Sequence, residues 1–193
     1  PSRAGIRLSA SSAAGPKSGE SVQALFSGNE IYDNHGYVVH ISTSYSNGDG
    51  YANGAYANPD VEATYIHHNQ AGGIFASARD TGTYGSAYIS GKYRNNLLVE
   101  NFGPGIEFTT VSDGALKSLV VSNNVNGTPA DLAMNISVDP GFVDDWDYHL
   151  RSDSLLIKAG TPADAPKLDF DGDTRVSPPS IGFDEVVFPE NSG

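Results

Sequence analysis

The chain has 193 residues, with 11 basic and 23 acidic side chains, a formal net charge of −12 and no cysteine. The excess of acid disfavours nucleic acid and anionic membrane surfaces as partners, because phosphate binding needs clustered Lys and Arg. The absence of cysteine excludes disulfides, thiolate metal sites and thiol catalysis. No apolar run approaches the roughly 18 residues of a membrane-spanning helix, so we expect no membrane insertion. With 22 Gly and 10 Tyr, the composition favours β-structure rich in turns.

Residues 1–19, PSRAGIRLSASS followed by AGPKSGES, predict a strand and a polar loop. After them, four segments each end on an asparagine, with an aliphatic residue three places earlier and a polar residue immediately before it. Three of the four then continue through a glycine into a second apolar run. This pattern predicts a strand, an Asn-containing turn and another strand, and it fits no helical period. The segments are NEIYDN, TYIHHN, NLLVEN and SLVVSN, ending at Asn34, Asn69, Asn101 and Asn123.

The asparagines are 35, 32 and 22 residues apart, which predicts a basic coil of 22 residues with insertions in the two longer intervals. When repeated strands stack in register, equivalent side chains lie about 4.8 Å apart. Aliphatic residues then fill the interior, and the stacked amides hydrogen-bond along a column. We therefore predict a solenoid with a structural ladder of Asn34, Asn69, Asn101 and Asn123.

The stretches VQALFSGNEIYDNHGYVVHIS, VEATYIHHNQAGGIFAS and NNLLVENFGPGIEFTT resemble coils of right-handed parallel β-helix proteins, the group that contains pectate-lyase-like proteins. The tail, DPGFVDDWDYHLRSDSLLIKAGTPAD with DFDGDTR and IGFDEV, resembles the closing segment of many secreted bacterial β-helix proteins, in which DPxFVD-type and HL strands precede a D-x-DG-x-x-R loop. The resemblance implies an all-β fold, a right-handed parallel β-helix with irregular inserted loops and a C-terminal cap, located outside the cell or on its surface. It is specific for architecture and leaves the activity open.

Two parts of one domain are expected from the charge distribution. Residues 1–138 are predicted to form coils, and residues 139–193, which hold 12 of the 23 acids, are predicted to form the closing coil and cap. Because no capping helix precedes the first strand, we expect either further coils upstream or a second chain over that edge. The second possibility would mean self-association through the uncapped end.

A glycan-binding lip is predicted where tyrosines alternate with Asn-Gly and Asp-Gly turns in the segment YSNGDGYANGAYANPD, interpreted as the first insertion. Tyr rings stack on sugar faces, and Asn and Asp side chains hydrogen-bond hydroxyl groups. The alternative is an ordinary excursion whose rings pack on the neighbouring coil. The substrate-binding candidates here and beside the following insertions are Tyr45, Asp49, Tyr51, Tyr56, Asp60, Glu62 and His67.

The resemblance also implies a possible lyase reaction, in which a Lys or Arg base removes a proton next to a uronate carboxylate. Lys92, Arg94 and Arg79 are the candidates for this role, although surface salt bridges would use the same residues. The paired-Asp and GHG patterns of β-helix polysaccharide hydrolases are missing. Whether the chain is an enzyme is left open by these residues.

Histidine and aspartate offer few metal sites. His67 and His68 are adjacent, so on a strand they point to opposite faces and cannot form one metal site together. Asp169, Asp171 and Asp173 superficially resemble a calcium loop, but the position for a bidentate Glu is Ser180. The alternative is a structural turn in which Asp side chains cap backbone N–H groups. Calcium is the one cofactor considered.

Three hypotheses on function follow from these observations. The leading hypothesis is an extracellular β-helix module that binds an extracellular polysaccharide and, in a complete form, processes it. The alternative is a non-catalytic structural or adhesive surface protein that assembles end to end. A free-standing polysaccharide lyase is a third, narrower hypothesis.

Overall fold

The computed structural model describes residues 5–13, 20–46, 54–82, 86–112, 114–122, 138–144, 147–163 and 165–186. Within these ranges the chain forms strands and no helix, so the predicted all-β class is confirmed. No helix suited to crossing a membrane is present in these ranges. The strands are β1 (Ile6–Ala13), β2 (Glu20–Ser27), β3 (Glu30–Tyr32), β4 (Tyr37–Ser46), β5 (Gly54–Glu62), β6 (Tyr65–His67), β7 (Gly72–Asp80), β8 (Ser86–Arg94), β9 (Leu97–Val99), β10 (Ile106–Ser112) and β11 (Ala115–Ser122).

The strands belong to three parallel sheets. The first sheet has the order β1-β4-β7-β10, the second β2-β5-β8-β11 and the third β3-β6-β9. Successive strands along the chain enter the first, second and third sheets in turn, and each strand pairs with its predecessor in the same sheet. Equivalent residues therefore stand in register, as Ile31, Ile66 and Leu98 do in the third sheet.

The core lies between the three sheets because the strands alternate buried and more exposed side chains. Val39, Ile74 and Ile106 form one aliphatic column of the first sheet, in register from rung to rung. Ile66 and Leu98 of the third sheet face the same core. Burial of such columns is the main favourable contribution to the stability of a stacked fold.

Residues 138–186 form a closing segment that packs against the outside of the third sheet. Its apolar side chains surround Tyr65 and Leu97, so these two residues are buried on the outer face of the third sheet, as Ile66 and Leu98 are on its inner face. The implied DPxFVD-type and HL strands reduce to one antiparallel bridge between Phe142 and Leu150. The members of this second cluster from the closing segment include Leu150, Leu156, Ile181 and Phe183.

The asparagine ladder is confirmed for Asn34, Asn69 and Asn101. The Nδ2 of Asn34 donates to Oδ1 of Asn69 at 3.1 Å, and Nδ2 of Asn69 donates to Oδ1 of Asn101 at 2.8 Å. The same two acceptor oxygens receive the backbone N–H groups of Asn34 and Asn69, at 3.0 and 3.2 Å. Each amide therefore joins two rungs and satisfies turn backbone groups that would otherwise lack partners.

The predicted fourth rung is wrong. Asn123 lies outside the described residues, but Ser122 beside it pairs with Arg94 in the second sheet. Residues 118–122, the SLVVS part of that segment, therefore belong to the second sheet, whereas NLLVEN contains the third-sheet strand β9. Aliphatic residues followed by Asn occur after strands of both the second and the third sheet, so the pattern did not distinguish the two sheets.

The 22-residue basic coil is wrong for the same reason. A complete circuit of three strands separates Asn34 from Asn69 and Asn69 from Asn101, that is 35 and 32 residues. The segment interpreted as an insertion contains β5, a regular strand of the second sheet. Tyr56, Asp60 and Glu62 consequently lie on a strand and not in a loop.

We predict that Asn69→Ala lowers the free energy of unfolding by about 1–3 kcal/mol, because Asn69 is buried and its amide joins three rungs. The exposed Asn58→Ala should change it by less than about 0.5 kcal/mol. Chemical denaturation of both variants measures the difference. Equal effects would mean that the buried amide adds nothing to stability.

Candidate functional site

The predicted binding and catalytic residues are distributed over all three sheets. Tyr45 is 0% exposed, so it is a core residue and cannot stack on a sugar at the surface. Arg94 and Glu62 are also buried and form an ion pair across β5 and β8 at 2.7 Å. A buried ion pair of this kind is a structural contact, and it makes Arg94 inaccessible as a base. Asp49 and Tyr51 lie outside the described residues.

Arg79 is separated from the other two predicted bases by the topology. It is exposed on β7 of the first sheet, opposite Ser44 and Val111 in the neighbouring strands. Lys92 lies on β8 of the second sheet. The predicted trio of Lys92, Arg94 and Arg79 therefore does not form one cluster.

Three of the predicted residues, Tyr56, Asp60 and Lys92, lie together on the outward face of the second sheet. Tyr56 and Tyr88 are in register, with ring centroids 4.4 Å apart. Ser90 Oγ donates to Oδ1 of Asn58 at 3.1 Å, one row further along the same strands. We call this surface the tyrosine strip, and it consists of Tyr56, Asn58, Asp60, Tyr88, Ser90 and Lys92.

The two charged residues of the tyrosine strip, Asp60 and Lys92, form an ion pair with each other. Nζ of Lys92 lies 3.9 Å from Oδ2 of Asp60, and its backbone N–H donates to Oδ1 of Asp60 at 3.0 Å. Both side chains are about one third exposed. The strip therefore offers two aromatic rings, an amide and a hydroxyl, together with an ion pair.

A second surface lies at the corner that follows the third sheet. Asp33, His68 and Glu100 precede the three ladder asparagines and adopt left-handed backbone conformations, with φ of 55°, 53° and 51°. Non-glycine residues rarely adopt this conformation. Since all three occupy the same place in successive rungs, their side chains stack in one outward column.

The expectation that His67 and His68 point to opposite faces is wrong. His67 is the last residue of β6, and the left-handed turn at His68 brings the two rings together. Nδ1 of His67 lies 2.7 Å from Nδ1 of His68. The sequence showed the adjacent histidines but not the turn that ends the strand between them.

The two histidines form the middle of a four-residue hydrogen-bonded chain. Nε2 of His67 is 3.1 Å from Oε1 of Glu30, and Nε2 of His68 is 2.7 Å from Oε2 of Glu100. The His67 side chain is 3% exposed and that of His68 is 45% exposed. Burial lowers the pKa of His67, against the opposing effect of Glu30.

This column borders a cavity of about 570 Å³, which we call the histidine cleft. Phe102 lies at the cleft with 91% of its surface exposed. The cleft is open to solvent along much of its surface. The cleft is lined by Asp33, His68, Asn69, Gln70, Glu100 and Phe102.

The aspartate loop in the closing segment is a structural turn. Oδ1 of Asp169 accepts the backbone N–H groups of Asp171 and Asp173, and Oδ2 accepts that of Glu185 at 3.0 Å. Nη1 of Arg175 lies 3.6 Å from the Glu185 carboxylate. The carboxylate of Asp169 is thus already occupied by backbone groups, as the alternative to a calcium loop predicts.

Asp171 instead joins His149 and Asp184, and these three place potential metal-ligating atoms within 4.8 Å of one another. His149 bonds Asp171 through Nε2 at 2.8 Å and Asp147 through Nδ1 at 2.5 Å. The carboxylate of Asp184 accepts the backbone N–H of Leu150. The group could offer one nitrogen and two oxygens to a cation, but its contacts are those of an ion pair that links two stretches of the closing segment.

Comparison with known proteins gives no match: no family model fits the chain, and no curated protein or solved structure is similar to it.

The bonds to Asp147 and Asp171 raise the pKa of His149 to about 9 from 6.5. A raised pKa stabilises the fold fully below pH 6.5, and this stabilisation is lost as the pH rises through about 9. We predict that the melting temperature of His149→Gln is lower than that of the wild type at pH 6, and that the two converge by about pH 10. Thermal melts across this range check the prediction, and a constant difference would contradict it.

Proposed function

We propose that the chain is an extracellular right-handed parallel β-helix module that binds a polysaccharide along the tyrosine strip. The β-helix is supported by three parallel sheets entered in constant order, and by the ladder that ties successive rungs together. The right hand is supported by the rule that crossovers between parallel strands are almost always right-handed. The extracellular location follows from the resemblance of the closing segment.

The observation that carries carbohydrate binding is the adjacent pair of Tyr56 and Tyr88 on an outward sheet face, with ring planes inclined at 38°. Aromatic rings present apolar faces, and carbohydrates have apolar C–H faces that pack on them. The neighbouring row of Asn58 and Ser90 supplies an amide and a hydroxyl for the sugar hydroxyl groups. Because the rows follow one another along β5 and β8, the strip is elongated and suits a segment of a linear polymer.

A neutral polysaccharide fits this strip better than a polyanionic one. The chain carries a net charge of −12, and Lys92, the basic residue of the strip, is paired with Asp60. A uronate polymer would be repelled by the overall charge and would have to displace Asp60 to reach Lys92. Binding to uncharged glucans, xylans, mannans or galactans is therefore expected in preference to binding to pectate or alginate.

The proposal is tested by measuring binding to a panel of neutral and uronate-containing polysaccharides with affinity electrophoresis and calorimetry. Tyr88→Ala should weaken binding by about tenfold, because it removes one of the two adjacent rings. Phe170→Ala, which removes an exposed ring from the closing segment, is the matched control and should leave binding unchanged.

Two results would contradict the proposal: equal binding by both variants, or no binding to any polysaccharide. In the second case, a second candidate gains weight, namely a structural or adhesive protein that assembles end to end. It is favoured by the outer edges of β1 and β2, which have no neighbouring strand among the described residues. Concentration-dependent sedimentation together with an inert panel would favour that candidate.

A further inference from the structure

The hydrogen-bonded network of Glu30, His67, His68 and Glu100 has a definite distribution of protons. An ionised carboxylate only accepts hydrogen bonds, so Nε2 of His67 donates to Glu30 and Nε2 of His68 donates to Glu100. The bond between the two Nδ1 atoms needs one further proton. Two rings that hold three protons carry one positive charge between them.

The shared positive charge is better solvated at the His68 end of the pair, because the His68 side chain is 45% exposed and that of His67 is 3% exposed. His67 is almost completely buried, and burial disfavours its charged form and lowers its pKa. His67 is then neutral, with its proton on Nε2 and its lone pair on Nδ1. His68 donates from both nitrogens, and its Nε2 proton is held against Glu100 at the half-exposed end of the chain. The network therefore places one transferable proton at the wall of the histidine cleft.

Asp33 supplies a carboxylate on the other side of His68. Tyr32, His67 and Val99 are register partners, so the residues after them, Asp33, His68 and Glu100, lie one rung apart. At about 4.8 Å per rung, the shared proton of His68 and Glu100 lies between one and two rungs from Asp33, about 5–10 Å away. This range includes the separation of about 6.5–9.5 Å between acid and base that leaves room for a water in inverting glycosidases.

The remaining lining suits a sugar. Phe102 offers an exposed ring at the cleft, and Gln70 offers an exposed amide. Tyr32 stacks on His67 with centroids 5.0 Å apart, so it supports the ring behind His68. An aromatic face beside convergent polar groups is the usual composition of a carbohydrate or other small-molecule site.

We propose that the histidine cleft is an acid–base site that hydrolyses a glycosidic bond, with His68 as proton donor and Asp33 as base. The bond between the anomeric carbon and the bridging oxygen breaks, and that oxygen takes the Nε2 proton of His68. A water oxygen bonds to the anomeric carbon, and the water's proton passes to Asp33. Exchange with solvent returns that proton from Asp33 and reprotonates His68. Glu30 and His67 are positioning residues because they act through His68.

This inference takes its substrate class from the proposed function, but it concerns a different surface. Binding depends on the tyrosine strip of the second sheet, whereas cleavage depends on the corner after the third sheet. The two can therefore fail independently, and the experiment separates them.

The activity test incubates the full chain with the neutral polysaccharides that it binds and measures new reducing ends. His68→Asn should lower the rate at least about 100-fold, because it removes the acid. Asn tolerates a left-handed backbone, so this variant should keep the fold, and a thermal melt checks that it does. Asp33→Asn should cause a similar loss, and the exposed His35→Asn is the matched control that should keep full activity.

A second readout does not depend on turnover. Nitrogen-15 NMR of the imidazoles should show His67 as a neutral ring protonated at Nε2, and His68 protonated at both nitrogens. Glu30→Gln should alter the His67 signals and, through the Nδ1 contact, those of His68. A proton on Nδ1 of neutral His67 would overturn the proton assignment and with it the acid role of His68.

Binding without release of reducing ends from any polysaccharide would overturn this inference and leave the proposed function standing. An inert panel with no binding would overturn both. Full activity in folded His68→Asn or Asp33→Asn would overturn the assigned roles.

Discussion

The structure depends on one repeated interaction, the hydrogen bond from a side-chain amide of one rung to the amide of the next. Asn34 and Asn69 each close their own turn and donate to the next amide, so Asn34, Asn69 and Asn101 hold adjacent turns in the same register. A parallel sheet fixes the distance between strands, but one strand can slip along its neighbour. The amide–amide hydrogen bond forms only when equivalent asparagines lie side by side, so it specifies the register of the strands. The aliphatic columns of the core and the outward columns on the surface follow from the same register.

Both candidate sites are consequences of that stacking. The tyrosine strip exists because Tyr56 and Tyr88 occupy equivalent places in neighbouring rungs. The histidine cleft exists because Asp33, His68 and Glu100 each stand one residue before a ladder asparagine. The histidine cleft also depends on the closing segment, which packs against the outside of the third sheet, where His67 is buried. A buried imidazole hydrogen-bonded to a half-exposed one is an arrangement suited to directional proton transfer.

Local patterns in the sequence predicted the parts of the fold that depend on neighbouring residues. The aliphatic and asparagine positions around Asn34, Asn69 and Asn101 identified strands and turns correctly. The SLVVS stretch was assigned to the wrong sheet because strands of the second and third sheets have similar sequences, and only the long-range pairing of Ser122 with Arg94 distinguishes them.

The sites were predicted less completely, because residue types reveal neither the burial of a side chain nor the sign of the backbone φ angle. Tyr45 is of a residue type that often binds sugars, but it is buried in the core. Arg94 is buried against Glu62. The chain through His67 and His68 depends on a left-handed residue after β6. One signal was present in the sequence: the polar residue before each asparagine marks the column that lines the cleft.

The most direct test of this account is an NMR measurement of nuclear Overhauser effects between side-chain amides in protein labelled at asparagine. We expect contacts from the Nδ2 protons of Asn34 to those of Asn69, and from Asn69 to Asn101, because each donates to the next oxygen at 3.1 and 2.8 Å. Absence of both contacts in the folded protein would show that the rungs do not stack through these amides, and the register on which both sites depend would be contradicted.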